Sequence, residues 1–337
     1  MNFSAHVLTL ALTVLSISFV YAQKEIYCVD LGQNAFENCE NFNIDIENKK
    51  LIILGEKHYM AQNSIIQVDL LIHLNMKFGV KYLLIEFGRA EAYLYNQYLQ
   101  TGDEWYLNYT FGGCNGYQEF LSSMKKLYEY NSGLSSSNKI IIHGLDFERE
   151  PGLSASMYKL LSNHSDEVKV KRLINIIYNR LDTIGVERDT KDYIYFLREK
   201  ISEISFPKDG SGKMINTIIN NNSFVIDFSK RDINMALSFQ SLDTLNQMYL
   251  GQFGVGHTML NNKSGLVGIL NNKENYSGKL LVINMHYVSG QNAKPYEGLS
   301  DCPIFLFNID PNDKSFGKLA KREHWALILR DQKKYTQ

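Results

Sequence analysis

The order of apolar runs and polar tips predicts an α/β protein. Its central sheet is mostly parallel and flanked by helices, and a helical insertion caps the sheet edge. Three observations carry this. First, the apolar run Leu51 to Leu54 breaks at Gly55 and delivers Glu56 and His58; a helix-length segment follows, and a second run, Tyr82 to Ile85, ends on Glu86. That is a βαβ unit with charged groups at the carboxyl ends of its strands, where open parallel sheets bind ligands. Second, the same device recurs further along the chain. Third, from Pro151 to about Glu203 the pattern is helical and shows no strand-like run.

Taken in order, residues 23–49 are polar and Asn-rich and read as a short excursion before the sheet. The first strand is Leu51 to Leu54. Ile65, Ile66, Val68, Leu71, Ile72 and Met76 recur at helical spacing over Gln62 to Phe78, and Gly79 stands where a helix stop belongs. The second strand spans Lys81 to Glu86, and Ala90 to Leu99 is a Tyr-rich helix. Gly112, Gly113 and Gly116 lie among aromatics in Trp105 to Tyr117, which reads as a loop bordering a pocket. A helix over Gln118 to Tyr130 leads through turn-rich residues into a third strand, Lys139 to His143. Its polar sequel is Gly144-Leu145-Asp146-Phe147-Glu148.

The insertion, about residues 151–205, is read as a cap over the sheet edge. Asp209-Gly-Ser-Gly-Lys213 lacks the first glycine of a phosphate loop, and Met214 replaces the Ser/Thr, so it is not one. A long helix, roughly Phe224 to Asn246, carries Arg231 and Asp232. Met248 to Gly256 is a glycine-interrupted strand opening onto His257-Thr258. Strands at Lys279 to Asn284, Ile304 to Asn308 and Trp325 to Leu329 complete the sheet, the later ones as edge strands suited to antiparallel pairing. His286 stands just past the first of these.

The chain has 337 residues, 45% apolar and 21% charged, with a net charge of −1. That balance makes no electrostatic case for nucleic acid or an anionic membrane. Residues 1–22 contain no Lys, Arg, Asp or Glu, and the apolar stretch Val7 to Val20 ends in Val20-Tyr21-Ala22 before Gln23. This is the pattern of a signal peptide over residues 1–22, whose apolar core of 14 residues falls short of the roughly 20 that a membrane span needs. The expectation is a secreted or periplasmic protein whose residues 23–337 form a single α/β domain with no membrane span. Export permits disulfides, Cys28, Cys39, Cys114 and Cys302 allow three connectivities, and Cys28 with Cys39, close in sequence near the new N-terminus, is the expected pair.

The strand tips collect Glu56, His58, Glu86, Asp146, Glu148, His257 and His286. Singly, an acid after a strand is more often a helix cap and a His more often a structural group. Together they are harder to dismiss, because parallel topology brings these tips to one edge. Acids and imidazoles gathered there are the ingredients of acid–base catalysis or of a metal site. His73 and His164, on helices, are assigned to structure.

Gly55-Glu-Lys-His58, Glu86 in IEFG, HGLDFE around Asp146, Arg231-Asp232 followed by Met235, and Gly254-Val-Gly-His257 occur in that order. The set resembles the superfamily that unites erythromycin esterases, Tiki/TraB-type proteins and ChaN-type haem-iron binding proteins. The esterase resemblance implies Glu56, His58, Glu86, Arg231 and His257 as catalytic residues, cleaving an ester or lactone without a covalent serine. Asp146, Tyr59 and His286 are then expected at the substrate. The chain agrees in having no G-x-S-x-G elbow. It departs in spelling Glu56-Lys-His58-Tyr59, which is closer to Tiki and ChaN. The lead reading requires no cofactor. A Tiki-type peptidase would instead use a divalent metal on His58, His257 and Glu86, and a ChaN-type protein would hold haem iron on a Tyr or His such as Tyr59.

Overall fold

The computed structural model describes residues 25–330 and 334, apart from 33, 182–189, 222–226, 244–246, 289–295, 297 and 311–315. The expected leader, residues 1–22, lies outside them. In chain order the sheet and its flanks are β1 (Ile26–Cys28), α1 (Glu40–Ile46), β2 (Leu51–Glu56), α2 (Gln62–Phe78), β3 (Tyr82–Ile85) and α3 (Arg89–Thr101). Two single turns follow, α4 (Trp105–Asn108) and α5 (Phe111–Cys114), then α6 (Gln118–Ser132) and β4 (Ile141–Gly144). Next come α7 (Gly152–Ser162), α8 (Val168–Leu181), α9 (Thr190–Ser202), α10 (Gly210–Ile219) and α11 (Arg231–Leu242). The chain returns to the sheet through β5 (Tyr249–Gly254), α12 (Val255–Thr258), α13 (Leu266–Asn271), β6 (Leu280–Tyr287), β7 (Ile304–Asn308), α14 (Gly317–Ala320) and β8 (Trp325–Leu329).

Among the described residues these strands make one eight-stranded sheet in the order β1-β7-β8-β6-β2-β5-β3-β4. The block from β8 to β4 is parallel throughout, and β7 runs antiparallel to both of its neighbours. The mostly parallel α/β sheet expected from the strand-and-tip pattern is therefore what the chain forms.

Strand periodicity explains the layers. Ile52, Leu54, Leu83, Ile85 and Ile142 face one side, under α2, α3 and α6. Leu51, Ile53, Leu84 and Phe253 face the other, under Met235 and Phe239 of α11 and Leu266 and Leu270 of α13. A strand buried on both faces reads as an unbroken apolar run, which is why β2 was visible in the sequence. Each such Leu or Ile contributes roughly 1.5–3 kcal/mol by leaving water. The helices α7 to α10 pack a separate cluster, including Leu160, Leu173, Ile177, Leu197 and Ile218, onto Ala90 and Leu94 of α3.

Three expectations need correction. Residues 23–49 do not stay outside the sheet: β1 is its edge strand, and Phe42 and Ile46 of α1 are fully buried. The helix carrying Arg231 starts later than expected and ends at Leu242, because Asp227 accepts from the backbone and hydroxyl of Ser229 and holds a turn ahead of it. The disulfide joins Cys28 to Cys302, not Cys39, with Cα atoms 5.7 Å apart. The antiparallel pairing of β1 with β7 brings residues 274 apart in sequence together, while Cys39 is buried as a free thiol at the start of α1.

Candidate active site

The register sets the strand tips side by side. Glu56 ends β2 opposite Gly254 of β5, and Gln252 of β5 is level with Ile85 of β3, one residue before Glu86. Gly144 ends β4 level with Ile85, so Asp146 follows at the same edge. Acids from β2, β3 and β4 thus converge without any local signal of their proximity.

His58 hangs from the β2 tip with Nδ1 2.8 Å from Glu56 Oε1. That hydrogen bond, working against partial burial, raises the imidazole pKa above its ordinary value, and the charges of Glu56 and Glu86 add to it. The other Glu56 oxygen accepts from Gln252 Nε2. Tyr59 follows with φ of 67°, a left-handed conformation uncommon outside glycine, and its ring is exposed.

Glu86 is the hub. Oε1 receives Arg231 Nη2 at 2.5 Å and lies 3.5 Å from His257 Nε2, and Oε2 receives the Gly254 amide at 2.5 Å. Burial opposes the charge, but His257, Gly254 and Arg231 outweigh it and hold the carboxyl at about 2. His257 is likewise pressed toward neutrality by burial, yet Asp232 and Glu86 push it up to about 9. Its Nδ1 lies 2.7 Å from Asp232 Oδ1, which also accepts the Leu266 amide at 2.6 Å. Both imidazole nitrogens therefore face carboxylates.

Asp146 is fully buried and clamped between two guanidiniums. Arg231 Nη2 reaches Oδ2 at 2.6 Å and Nε reaches Oδ1 at 3.0 Å, while Arg149 Nη2 reaches Oδ2 at 2.9 Å. Glu148 does act as a cap, but for α3: it accepts the amides of Arg89 and Ala90 at 2.9 and 3.0 Å, and burial pushes its carboxyl up to about 7.

These residues border a cavity of about 350 Å³. Its polar end holds Glu56, His58, Glu86, Arg149, Arg231 and Gln252; its other walls are aromatic and aliphatic, with Asn63, Ser64 and Gln67 of α2 on one side. Tyr59 lines it, and so do Phe111 and Tyr117 from the Gly-rich segment read as a pocket border. His257 and Asp146 stand behind the wall, acting through Glu86 and Arg231. His286 is elsewhere: its Nε2 meets Glu323 Oε1 at 2.8 Å and its Nδ1 meets the Tyr296 hydroxyl at 3.1 Å. His73 is structural, bonded to Asn43 and held at about 4 by burial, and His164 meets Ser211.

Of the three residues expected to hold a divalent metal, His257 has both nitrogens turned to carboxylates, Nδ1 to Asp232 at 2.7 Å and Nε2 to Glu86 at 3.5 Å, while His58 Nδ1 is held by Glu56. Among the described residues no group of three or more His, Cys, Asp or Glu could hold a metal ion, and no helix is long and apolar enough to cross a membrane.

Two residues escaped the sequence reading. Gln252, which steadies Glu56, is a polar side chain in a strand buried along its whole length, and that mismatch was its signal. Arg149, which holds Asp146 and the Glu86 carbonyl, sits three residues past Asp146 with no pattern to single it out.

No protein-family model and no curated protein matches the sequence. Solved structures do match. A succinoglycan biosynthesis protein is similar at a TM-score of 0.67 and 13% identity, over 96% of this chain and 98% of that one. A Bacillus cereus protein follows at 0.64 and 13%, over 96% and 99%. An erythromycin esterase mutant in its open conformation matches at 0.58 and 11%, over 89% and 95%. At such identities the likeness is one of architecture, and it spans nearly the whole of each chain: this protein has the fold of the erythromycin esterases.

Proposed function

We propose that this protein is an exported hydrolase that cleaves an ester or lactone by water attack, with His58 as the base. The observation that carries the reading is the His58–Glu56 pair, 2.8 Å apart, on the wall of a cavity that Arg149 and Arg231 also line. Glu56 fixes the ring through Nδ1 and stabilises the imidazolium, leaving Nε2 to take the proton from water. A base so placed contributes roughly 10²–10⁴ in rate. The hydroxide adds to the carbonyl carbon, and a guanidinium of Arg231 or Arg149 steadies the oxyanion, an effect of about 3 kcal/mol per donor. Collapse breaks the C–O bond, and His58 returns its proton to the leaving alkoxide.

Glu86 and Asp146 hold these guanidiniums in place, and His257 in turn braces Glu86. The erythromycin esterase with this fold supports ester chemistry as the reaction class. Export is supported by the Cys28–Cys302 disulfide, a bond of oxidising compartments. The test is a panel of activated esters and lactones with wild type and His58→Ala, each with and without chelator. Hydrolysis that His58→Ala abolishes and chelator leaves intact is the expected result. Hydrolysis lost only to chelator would overturn the reading.

A further inference from the structure

We propose that the acyl part of the substrate is a slender aliphatic chain of about six to ten carbons, seated in a blind chamber along the sheet face. This rests on the hydrolase reading above. The cavity that begins at His58 does not stay polar. It follows β3 inward from Ile85 to Leu83, two residues or about 7 Å of strand. Leu83 is in register with Ile142 of β4, so the two side chains share a face and make the floor. Met124 of α6 lines the chamber from the helix side. All three are at least 96% buried and offer no hydrogen bond, so a polar group placed there would forfeit its hydration.

An aromatic collar around Phe111 lines the cavity beside His58. Its ring centroid lies 6.2 Å from Tyr59, 5.6 Å from Phe87 and 6.1 Å from Tyr117. The Phe111 amide donates to the buried Glu91 carboxylate at 2.7 Å, which ties the collar to α3. The whole cavity, about 350 Å³, is at the small end of the ~300–1,000 Å³ usual for ligand sites. At ~30 Å³ per heavy atom, comparable to a water molecule in the liquid, it holds about a dozen atoms including the ester head. That suits a chain and not a macrocycle.

The experiment is turnover of p-nitrophenyl esters from acetate to palmitate by the whole protein. Each buried methylene is worth about fourfold, so kcat/KM should climb three- to fourfold per carbon to about the octanoate and then level or fall. Met124→Trp should cut the octanoate-to-acetate ratio at least tenfold. A second measurement is independent of catalysis and of that variant's folding: calorimetric titration of His58→Ala with methyl butanoate, hexanoate and octanoate. Affinity rising with length supports the chamber, and equal affinity overturns it. Turnover of every ester at similar kcat/KM would overturn the chamber and leave the hydrolase standing. Length-dependent binding without any turnover would overturn the hydrolase and leave the chamber.

Discussion

Gly254 packs directly on the imidazole of His58. A Cβ at this position would stand 2.8 Å from His58 Nε2 and 2.9 Å from Cε1, closer than side chains approach. The glycine of the second G-x-x-H motif is thus the seat of the histidine that ends the first. Gly254→Ala should swing the ring off Glu56 and cost about a hundredfold in turnover, the usual toll of a 1 Å misplacement. Its thermal midpoint should stay near wild type, since a half-exposed side chain has somewhere to go. Kinetics and melting of that variant check this, and unchanged turnover would refute it.

The Glu56 hydrogen bond raises the His58 pKa above 6.5, and a base must be deprotonated to act. Hydrolysis should therefore fall as pH drops, with a midpoint above 6.5. In Glu56→Gln the midpoint should move down, because the charge that favours imidazolium is gone. A pH–rate profile of both proteins decides it; an unmoved midpoint would assign the limb to another group.

Arg231 bridges Glu86 and the fully buried Asp146. Arg231→Met leaves two carboxylates without their shared cation, and breaking such a pair from one side costs about 3–5 kcal/mol. Urea unfolding should show a loss of that size. A loss below 1 kcal/mol would mean that Arg149 alone satisfies Asp146.

His257 rises from 6.5 to about 9 on folding. A raised pKa stabilises the fold fully below pH 6.5, and that stability is lost as pH climbs through 9. Glu86, lowered from 4.5 to about 2, contributes above pH 4.5 and loses its share as pH falls through 2. Stability should therefore peak between pH 4.5 and 6.5. The decline toward pH 9, up to about 3 kcal/mol at ~1.4 per pKa unit, should flatten in His257→Gln. Melting curves across this range would expose a slope that the variant retains.

The Cys28–Cys302 bond ties the edge strand β1 to the segment before β7. Cys302→Ala should lower stability by about 2–5 kcal/mol. Cys39→Ala should leave the protein's response to reductant unchanged. If reductant acts on a Cys39 bond instead, peptide mapping of the oxidised chain will show it.

The mostly parallel sheet, its strands from β2 onward and the polar tips that follow them were legible in the order of apolar runs, whereas the three-residue edge strand β1 was not. A strand buried on both faces must be a near-continuous apolar run, and where it stops, polarity returns abruptly, as at Glu56, Glu86 and Asp146. Tertiary structure alone decided which tips meet and in what rank. His286 carries the same signature as His58, yet at β6 it pairs with Glu323, while β2, β5, β3 and β4 bring Glu56, Gln252, Glu86 and Asp146 side by side. His257 looks like a catalyst or ligand in a G-x-x-H motif, but in the fold its nitrogens face Asp232 and Glu86, and it backs the cavity wall instead of lining it. Cys28 is nearer Cys39 along the chain and nearer Cys302 in space. Local periodicity reports which face of an element is buried. Strand order, ion-pair partners and disulfides depend on neighbours tens to hundreds of residues away, and no local pattern encodes them.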